Sequence, residues 1–547
     1  MPFRLSIDDI YALLSKFIQS GQADDNGPVI FADVFIAGSG PVACAYARTI
    51  LDERPKTKIY MAEIGSQEHP IRGAHQKNSV NITKSALQPV SIAADETYQT
   101  TLSRASWSPP ITSDTVDLAM EGYNAQQDPR LNLRGTGMTR TVGGMGTHWT
   151  CACPTPHIEE AMHLERIIPR PELDILLERA ATLLNVHSNE YDNSIRHTVV
   201  KEMLTKLLPA ERSLANIPLA VERRIDNPDY VTWTGANTVL GHQIDKFKLL
   251  AETRVTRIFM WPQIPGMTMP RAMAALLRNM NTDEDVLVIA KAFVIACGAI
   301  GTPQILWNSH IRPSSLGKYL TEQSVAFSQV VFDRNIITSI EKDPRWAERI
   351  KTHKEKHPKD PLPIPFNDPE PQLVIRYTSN HPWHAQIHRD ALSYGSVGTR
   401  FFGKSDLVED NRVEFGDVSD IYGMPQPTFY VSRTDEDGKH DQQMMRDMTD
   451  IANTFGGFLP GSEPQFLEPG LAFHITGTTR LGSDHQTSVA DANSLVHGTQ
   501  NLWVGGNGCI PDATACNPTR TSVALAIKGA LALCKYVDSV DQSEIMF

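Results

Sequence analysis

The stretch Asp33-Val-Phe-Ile-Ala-Gly-Ser-Gly-Pro-Val-Ala43 decides the fold class. Asp33–Ala37 is an apolar run of strand type, Gly38–Ala43 reads G-x-G-x-x-A, and Cys44-Ala-Tyr-Ala-Arg-Thr-Ile-Leu51 continues as a helix. Gly38 permits a tight turn, Gly40 lets the backbone approach a pyrophosphate, and Ala43 is small enough for close helix–strand packing. Phosphates then sit on free N–H groups at the helix N-terminus. A second strand, Lys58–Ala62, ends in Glu63, a carboxylate placed to accept from a ribose hydroxyl pair. The expectation is a Rossmann-like dinucleotide-binding unit in an α/β protein; the bland alternative is a glycine turn in another α/β domain. The loop does not say which dinucleotide, and a single fingerprint disfavours a second nucleotide domain.

A second glycine-rich stretch, Thr139-Arg-Thr-Val-Gly-Gly-Met-Gly-Thr-His-Trp-Thr-Cys151, has Gly143, Gly144 and Gly146 followed at once by Thr147, His148, Trp149 and Thr150. Glycines reach positive φ and lie close against a ligand. A loop of this kind suits a large flat ligand, although a tight turn holding a buried histidine reads the same way.

Further out, Pro171–Leu184 carries the spacing of an amphipathic helix. The apolar strand Val286–Cys297 runs into Gly298-Ala-Ile-Gly-Thr-Pro303, with Thr302 read as an N-cap and Pro303 in the first helical turn. So α/β character returns some 200 residues after the first unit, implying a discontinuous nucleotide domain. From Glu341 to Pro371 a charged run gives way to Asp360-Pro-Leu-Pro-Ile-Pro-Phe-Asn-Asp-Pro-Glu-Pro371, which favours an extended surface arm or subunit contact. Strand-like Gln372–Tyr377 and Thr428–Val431 suggest a second, sheet-based domain. His384 and His388 have a spacing that on a helix could hold a metal, but no Glu lies between them, and no metal is expected. Near the end, His474 lies on an apolar strand-like segment and Asn517 at the entrance of the closing helix, before Pro518. Alone, both are as readily structural polar groups.

The bulk properties are ordinary for a soluble globular protein. Of 547 residues 51 are basic and 63 acidic, a net charge of −12 without a long basic run, which speaks against nucleic acid or anionic membrane as a partner. No apolar run nears the ~20 residues of a membrane helix. Residues from Ser6 read as a capped amphipathic helix with Asp8 and Asp9 in its first turn and Ile10, Leu13, Leu14, Phe17 and Ile18 inward. Two carboxylates there do not suit a signal peptide. Seven scattered cysteines make no disulfide framework. An intracellular, cytoplasmic setting is expected.

Together these segments resemble the glucose–methanol–choline (GMC) family of flavin oxidoreductases, most closely its pyranose-oxidising members. The resemblance is carried in family order by Gly38–Pro41, Val142–Thr150, Gly298–Leu306, Asp360–Phe366, Gln386-Ile-His-Arg-Asp390, Ser393-Tyr-Gly395, Phe455–Gly461 and the His474 and Asn517 segments. It implies FAD, joined covalently through His148 to the flavin 8α-methyl. Gly38, Gly40, Glu63, Thr147, Trp149 and Asn507 would contact the cofactor, and Thr150 would lie near flavin N5 and C4a. It makes His474 the general base and Asn517 its partner on the same substrate oxygen, and it places Gln386, Asp390, Arg400 and Phe473 around the sugar.

The resemblance further implies a discontinuous FAD domain over residues 28–150, 225–310 and 465–547, interleaved with a sheet-plus-helices substrate domain over 151–224 and 311–464. Residues 1–27 form an N-terminal helix, and a shortened head and arm occupies about 333–371, leaving a homo-oligomer open. The implied reaction takes a pyranose secondary hydroxyl, C2 of glucose, to the ketone, with dioxygen or a quinone as electron acceptor. Thr479-Arg480 stands where the family has His-Arg, and Leu392 where fungal sugar oxidases usually have phenylalanine. A leaner substrate loop would suit C3 oxidation of a glycoside. A quinone-dependent dehydrogenase and a non-redox lyase are the further alternatives.

Overall fold

The computed structural model describes residues 4–20, 29–67, 69–78, 124, 126–225, 231–261, 269–366, 368–369, 371–388 and 395–540. Two seven-stranded sheets organise it. In the first, the strand order is Lys248–Leu250, Ile59–Ala62, Val29–Ala37, Asp285–Ile295, Ala272–Asn279, Thr253–Met260. The first four strands run parallel, and the last two pair antiparallel. The 11-residue strand Asp285–Ile295 has one edge shared by two neighbours. Ala274–Arg278 takes its N-terminal half, and Leu502–Val504 runs parallel to its C-terminal end.

Val34–Ala37 are fully buried, as a parallel strand covered on both faces must be. The helices Pro41–Glu53 and Thr519–Ser539 pack together on this sheet, closely enough that a Cβ on Gly529 would sit 2.2 Å from the Tyr46 hydroxyl. The N-terminal helix Ile7–Ser20 is capped as its sequence suggests: Ser6 Oγ accepts from Asp9 N at 3.1 Å. Ile10 and Leu14 pack with Phe259, Trp261 and Leu287.

The second sheet is antiparallel, in the order Gly456–Phe458, Ser324–Phe332, Ser396–Gly403, Trp383–His388, Gln372–Ile375, Leu214–Asn216, with Gln465–Phe466 also on Ser324–Phe332. Its alternation decides function. Trp383, Ala385 and Ile387 go into a core with Met444 and Met448 of the helix Asp435–Asn453. His384 and Gln386 therefore face the other way.

The segment 151–224, assigned to the substrate domain from the sequence, packs in two parts: residues 151–184 and 217–221 join the core of the first sheet, while the helix Ile195–Leu207 and the strand Leu214–Asn216 join the second. Two expectations are corrected. The helix after Asp285–Ile295 begins at Gly298 with Cys297 as N-cap, so Pro303 lies inside it. Proline removes the N–H that Ala299 O would accept, and the Thr478 hydroxyl donates to that carbonyl instead, at 2.5 Å. Thr302 Oγ1, rather than capping, accepts from Cys297 N at 3.0 Å.

The charged run from Glu341 folds as the end of the helix Arg334–Lys342 and the helix Ala347–Lys356. The proline-rich part turns inward instead of forming an arm: Ile364 is fully buried, and the Asp368 carboxylate accepts from Ile195 N and Arg196 N at 2.8 and 3.1 Å. Among the described residues no helix is long and apolar enough to cross a membrane.

Candidate active site

A cavity of about 320 Å³ runs from the first glycine loop to His474 and Asn517. Gly38 has φ +96°, and a Cβ there would meet Ala296 O at 2.4 Å. Gly40 is different: a Cβ on it would approach nothing in the chain closer than 3.9 Å. The chain itself does not demand glycine at 40, and the space a side chain would fill belongs to the cavity. The helix Pro41–Glu53 has no side-chain cap, and neither do Gly298–Asn308 and Thr519–Ser539, whose first residues also line the cavity. Three uncapped N-termini present backbone donors and positive dipole ends, a setting for anionic or electron-rich groups. Glu63, at the end of its strand, accepts from Ser39 Oγ at 2.7 Å and Gly65 N at 3.1 Å. Burial pushes its carboxyl up to about 7. These residues fit a dinucleotide.

The second glycine loop crosses in front of the first. Gly143 has φ +101° and donates its N–H to Ser39 Oγ at 3.0 Å, and a Cβ on Gly144 would come within 3.2 Å of Gly40 Cα. A 3₁₀ turn, Gly144–Thr147, then delivers His148 to the cavity wall, 7% exposed, with Nε2 2.8 Å from Thr139 Oγ1. Trp149 and Thr150 follow on the same wall, the indole anchored by donation to Thr234 O at 2.7 Å. Thr147 does not line the cavity among the described residues: its hydroxyl turns back to Gly144 O at 2.9 Å, closing the 3₁₀ turn.

At the far end stand His474 and Asn517, with Phe473 on the same wall. His474 lies on an irregular segment beside Phe402, ring centroids 5.6 Å apart, not on a strand. Its Nδ1 is 2.7 Å from Gln323 Oε1, and its Nε2 is 3.3 Å from Asn517 Nδ2. Burial pushes the imidazole down to about 3, so it is neutral at ordinary pH. The neighbouring Glu322 carboxyl accepts the backbone N–H groups of Gln323 and His474. Burial raises it to about 8, leaving it without a full charge at pH 7. Asn507 also lines the cavity and accepts from Ser522 Oγ at 2.7 Å.

Two of the remaining expected residues, Gln386 and Arg400, pair across neighbouring strands of the second sheet. Gln386 is buried behind Asn517, donating to its Oδ1 at 2.6 Å. Arg400 is its direct cross-strand partner, with the guanidinium 5.6 Å from the Phe327 ring. Neither lines the cavity among the described residues. Asp390 lies outside the described residues. His384 and His388 sit on a strand, not a helix, and His384 Nε2 bonds Glu160 at 3.0 Å. Among the described residues no group of three or more His, Cys, Asp or Glu could hold a metal.

Sequence reading missed Gln323, Glu322, Glu160 and Arg140. Arg140 lines the cavity with its guanidinium 4.1 Å from the Tyr422 ring centroid. The Glu160 carboxylate accepts from Ala515 N and Cys516 N at 2.7 and 2.9 Å, fixing the loop that carries Asn517. Only the polar pair Glu322-Gln323 at the mouth of the apolar strand Ser324–Phe332 offered a sequence signal.

Two family models described as GMC oxidoreductase match residues 231–325 and 408–526. The chain is 56% identical to a pyranose 2-oxidase of Tricholoma matsutake, over 98% of this chain and 100% of that one. It is 31% identical to a C-glycoside 3-oxidase of Arthrobacter globiformis, over 93% and 96%. A formate oxidase structure from Aspergillus oryzae superposes with a TM-score of 0.62 at 13% identity, covering 94% of this chain and 99% of that one, a likeness of fold. With a full-length relative at this identity and the dinucleotide cradle and His–Asn pair in one cavity, the chain belongs to the GMC oxidoreductase family.

Proposed function

We propose that the chain is an FAD-dependent sugar oxidase that takes a pyranose secondary hydroxyl, C2 of glucose and related aldopyranoses, to the ketone. The observation that carries this reading is the neutral His474 paired with Asn517 in the same cavity as the dinucleotide cradle. Gly38, Gly40, Glu63 and the three helix N-termini would hold the dinucleotide, and Trp149, Thr150 and Asn507 would line its ring end. FAD, when bound, supplies the acceptor for a hydride and passes the electrons on. We assign His148 as its covalent anchor, supported by the place of the imidazole on the wall beside the crossed glycine loops.

The chain's own residues handle the proton. The sugar O–H donates to His474 Nε2 while its oxygen accepts from Asn517 Nδ2, which aims the C–H bond away from both. As the hydride leaves the carbinol carbon, the O–H proton passes to Nε2. A buried imidazolium facing no carboxylate is a poor resting state, so it gives the proton up in the second half-reaction. There dioxygen takes two electrons and two protons to become hydrogen peroxide, or a quinone takes them to become the quinol. The greater identity to a pyranose 2-oxidase, 56% against 31% for a C-glycoside 3-oxidase, supports C2 as the reacting carbon.

Glucose deuterated at C2, and separately at C3, tests the assignment. Flavin reduction slows several-fold with the C2 label alone if C2 loses the hydride. A slowing confined to the C3 label moves the reaction to C3.

A further inference from the structure

We propose that Gln323 is a positioning residue that holds His474 as the Nδ1–H tautomer and so keeps a bare Nε2 facing the cavity; this rests on the reading of His474 as the base. Gln323 Nε2 lies 2.7 Å from Thr514 O and 3.0 Å from Cys516 O. Backbone carbonyls only accept, so both positions require the amide nitrogen. Turning the amide over would set its oxygen against two carbonyl oxygens in a site where Gln323 is 5% exposed, and unpaired buried acceptors are costly. The amide oxygen is therefore fixed at 2.7 Å from His474 Nδ1, which must donate.

The other side of the ring is arranged in the same sense. Gln386 Nε2 donates to Asn517 Oδ1 at 2.6 Å, which turns Asn517 Nδ2 toward His474 Nε2 at 3.3 Å. A proton on Nε2 would face that N–H donor, and a bare Nδ1 would face the Gln323 oxygen. Donation thus runs from Gln386 through Asn517 and His474 to Gln323. It ends on the carbonyls of Thr514 and Cys516, in the loop that carries Asn517. In serine hydrolases a carboxylate sets the histidine tautomer; here a neutral amide does so, adding no charge that would raise the imidazole's affinity for protons.

The test is anaerobic flavin reduction by glucose in the flavin-loaded parent, Gln323→Leu, Gln323→Glu and His474→Ala. It is joined to ¹⁵N-histidine spectra in which His474 is assigned by its loss from His474→Ala. Gln323→Leu should slow the limiting reduction by about 10- to 100-fold with the half-saturating glucose shifted less than roughly threefold, and its His474 signal should become a tautomer mixture. A neutral glutamic acid donates to the same carbonyls and accepts from Nδ1, so Gln323→Glu should stay within roughly fivefold of the parent. The proposal is overturned by a parent spectrum with the proton on Nε2, by Gln323→Leu reducing at the parental rate, or by equal losses in both Gln323 variants. Should the leucine variant not fold, the parent spectrum and Gln323→Glu decide alone. His474→Ala reduced at the parental rate removes the base reading itself, whereas slow His474→Ala with parental Gln323→Leu removes only the role of Gln323.

Discussion

At the dinucleotide end the cavity wall is largely backbone: Gly38 and Gly40, crossed by Gly143 and Gly144, and three helix starts with no side-chain caps. At the His474 end it is side chain: His474 and the Asn517 amide, oriented by the amides of Gln323 and Gln386 behind them. A backbone wall is specified by what residues lack, in short local motifs such as Gly38–Ala43 and Gly143–Gly146. A side-chain wall is specified by what residues carry, here from positions 323, 386, 474 and 517. The first should fail by misfolding or loss of cofactor, the second by loss of chemistry in an intact fold.

The largest expected effect breaks that comparison if it is wrong. His474→Ala should cut flavin reduction by about a thousandfold, the range for losing a positioned base, with the thermal midpoint and flavin absorbance held. A large fall in the midpoint would make His474 structural.

Glu160 tests the joint between the two ends. It stands in the segment 151–184, which packs on the first sheet, yet it holds Ala515 and Cys516 and pairs with His384. Glu160→Ala should cost about 3–5 kcal/mol, as removal of one partner from a buried pair does, and should slow reduction as well through Asn517. Burial opposes its ionisation, but His384 and the N–H groups outweigh that and hold the carboxyl at about 2. An acid lowered in the folded state adds stability that is complete above its unfolded value and is lost as pH falls toward 2. The thermal midpoint should therefore drop more steeply from pH 5 to pH 2 in the parent than in Glu160→Gln; parallel curves would refute the assignment.

Gly38→Ala probes the backbone wall. Positive φ and the contact with Ala296 O should cost about 3 kcal/mol, seen as a lower midpoint and reduced flavin content. The smallest effect is an absence of one. With burial holding His474 near 3, the base form persists and the reduction rate should stay level from pH 8 to pH 5. A decline centred near 6.5 would mean an imidazole open to water.

This contrast also explains what could be read in advance. The strand read at Asp33–Ala37, part of Val29–Ala37 in the fold, its glycine turn and the following helix were legible because strand, turn and helix are local and each small residue has a steric reason. His148 was legible as a place on a glycine loop, but its role came only through family resemblance. The direction of the Thr147 hydroxyl, back to Gly144 O, was not legible because sequence adjacency cannot say which way a 3₁₀ turn faces. The place of Gln386, opposite Arg400 and bonded to Asn517, was not legible because strand pairing, not spacing, sets it. Gln323 showed only as half of a polar pair before an apolar strand, and its role was not legible because its partners are 151 to 193 residues away. The inward turn of the proline-rich segment depended on a distant helix N-terminus, Ile195–Leu207, in need of the Asp368 carboxylate.

The central claim, a sugar oxidised at the His474 end of a flavin-holding cavity, meets its most direct test when the purified protein is mixed anaerobically with glucose while its visible absorbance is followed. The account predicts a yellow protein that bleaches with glucose and regains its colour, with hydrogen peroxide formed, when oxygen is admitted. A flavin-loaded protein whose spectrum glucose leaves unchanged would contradict it.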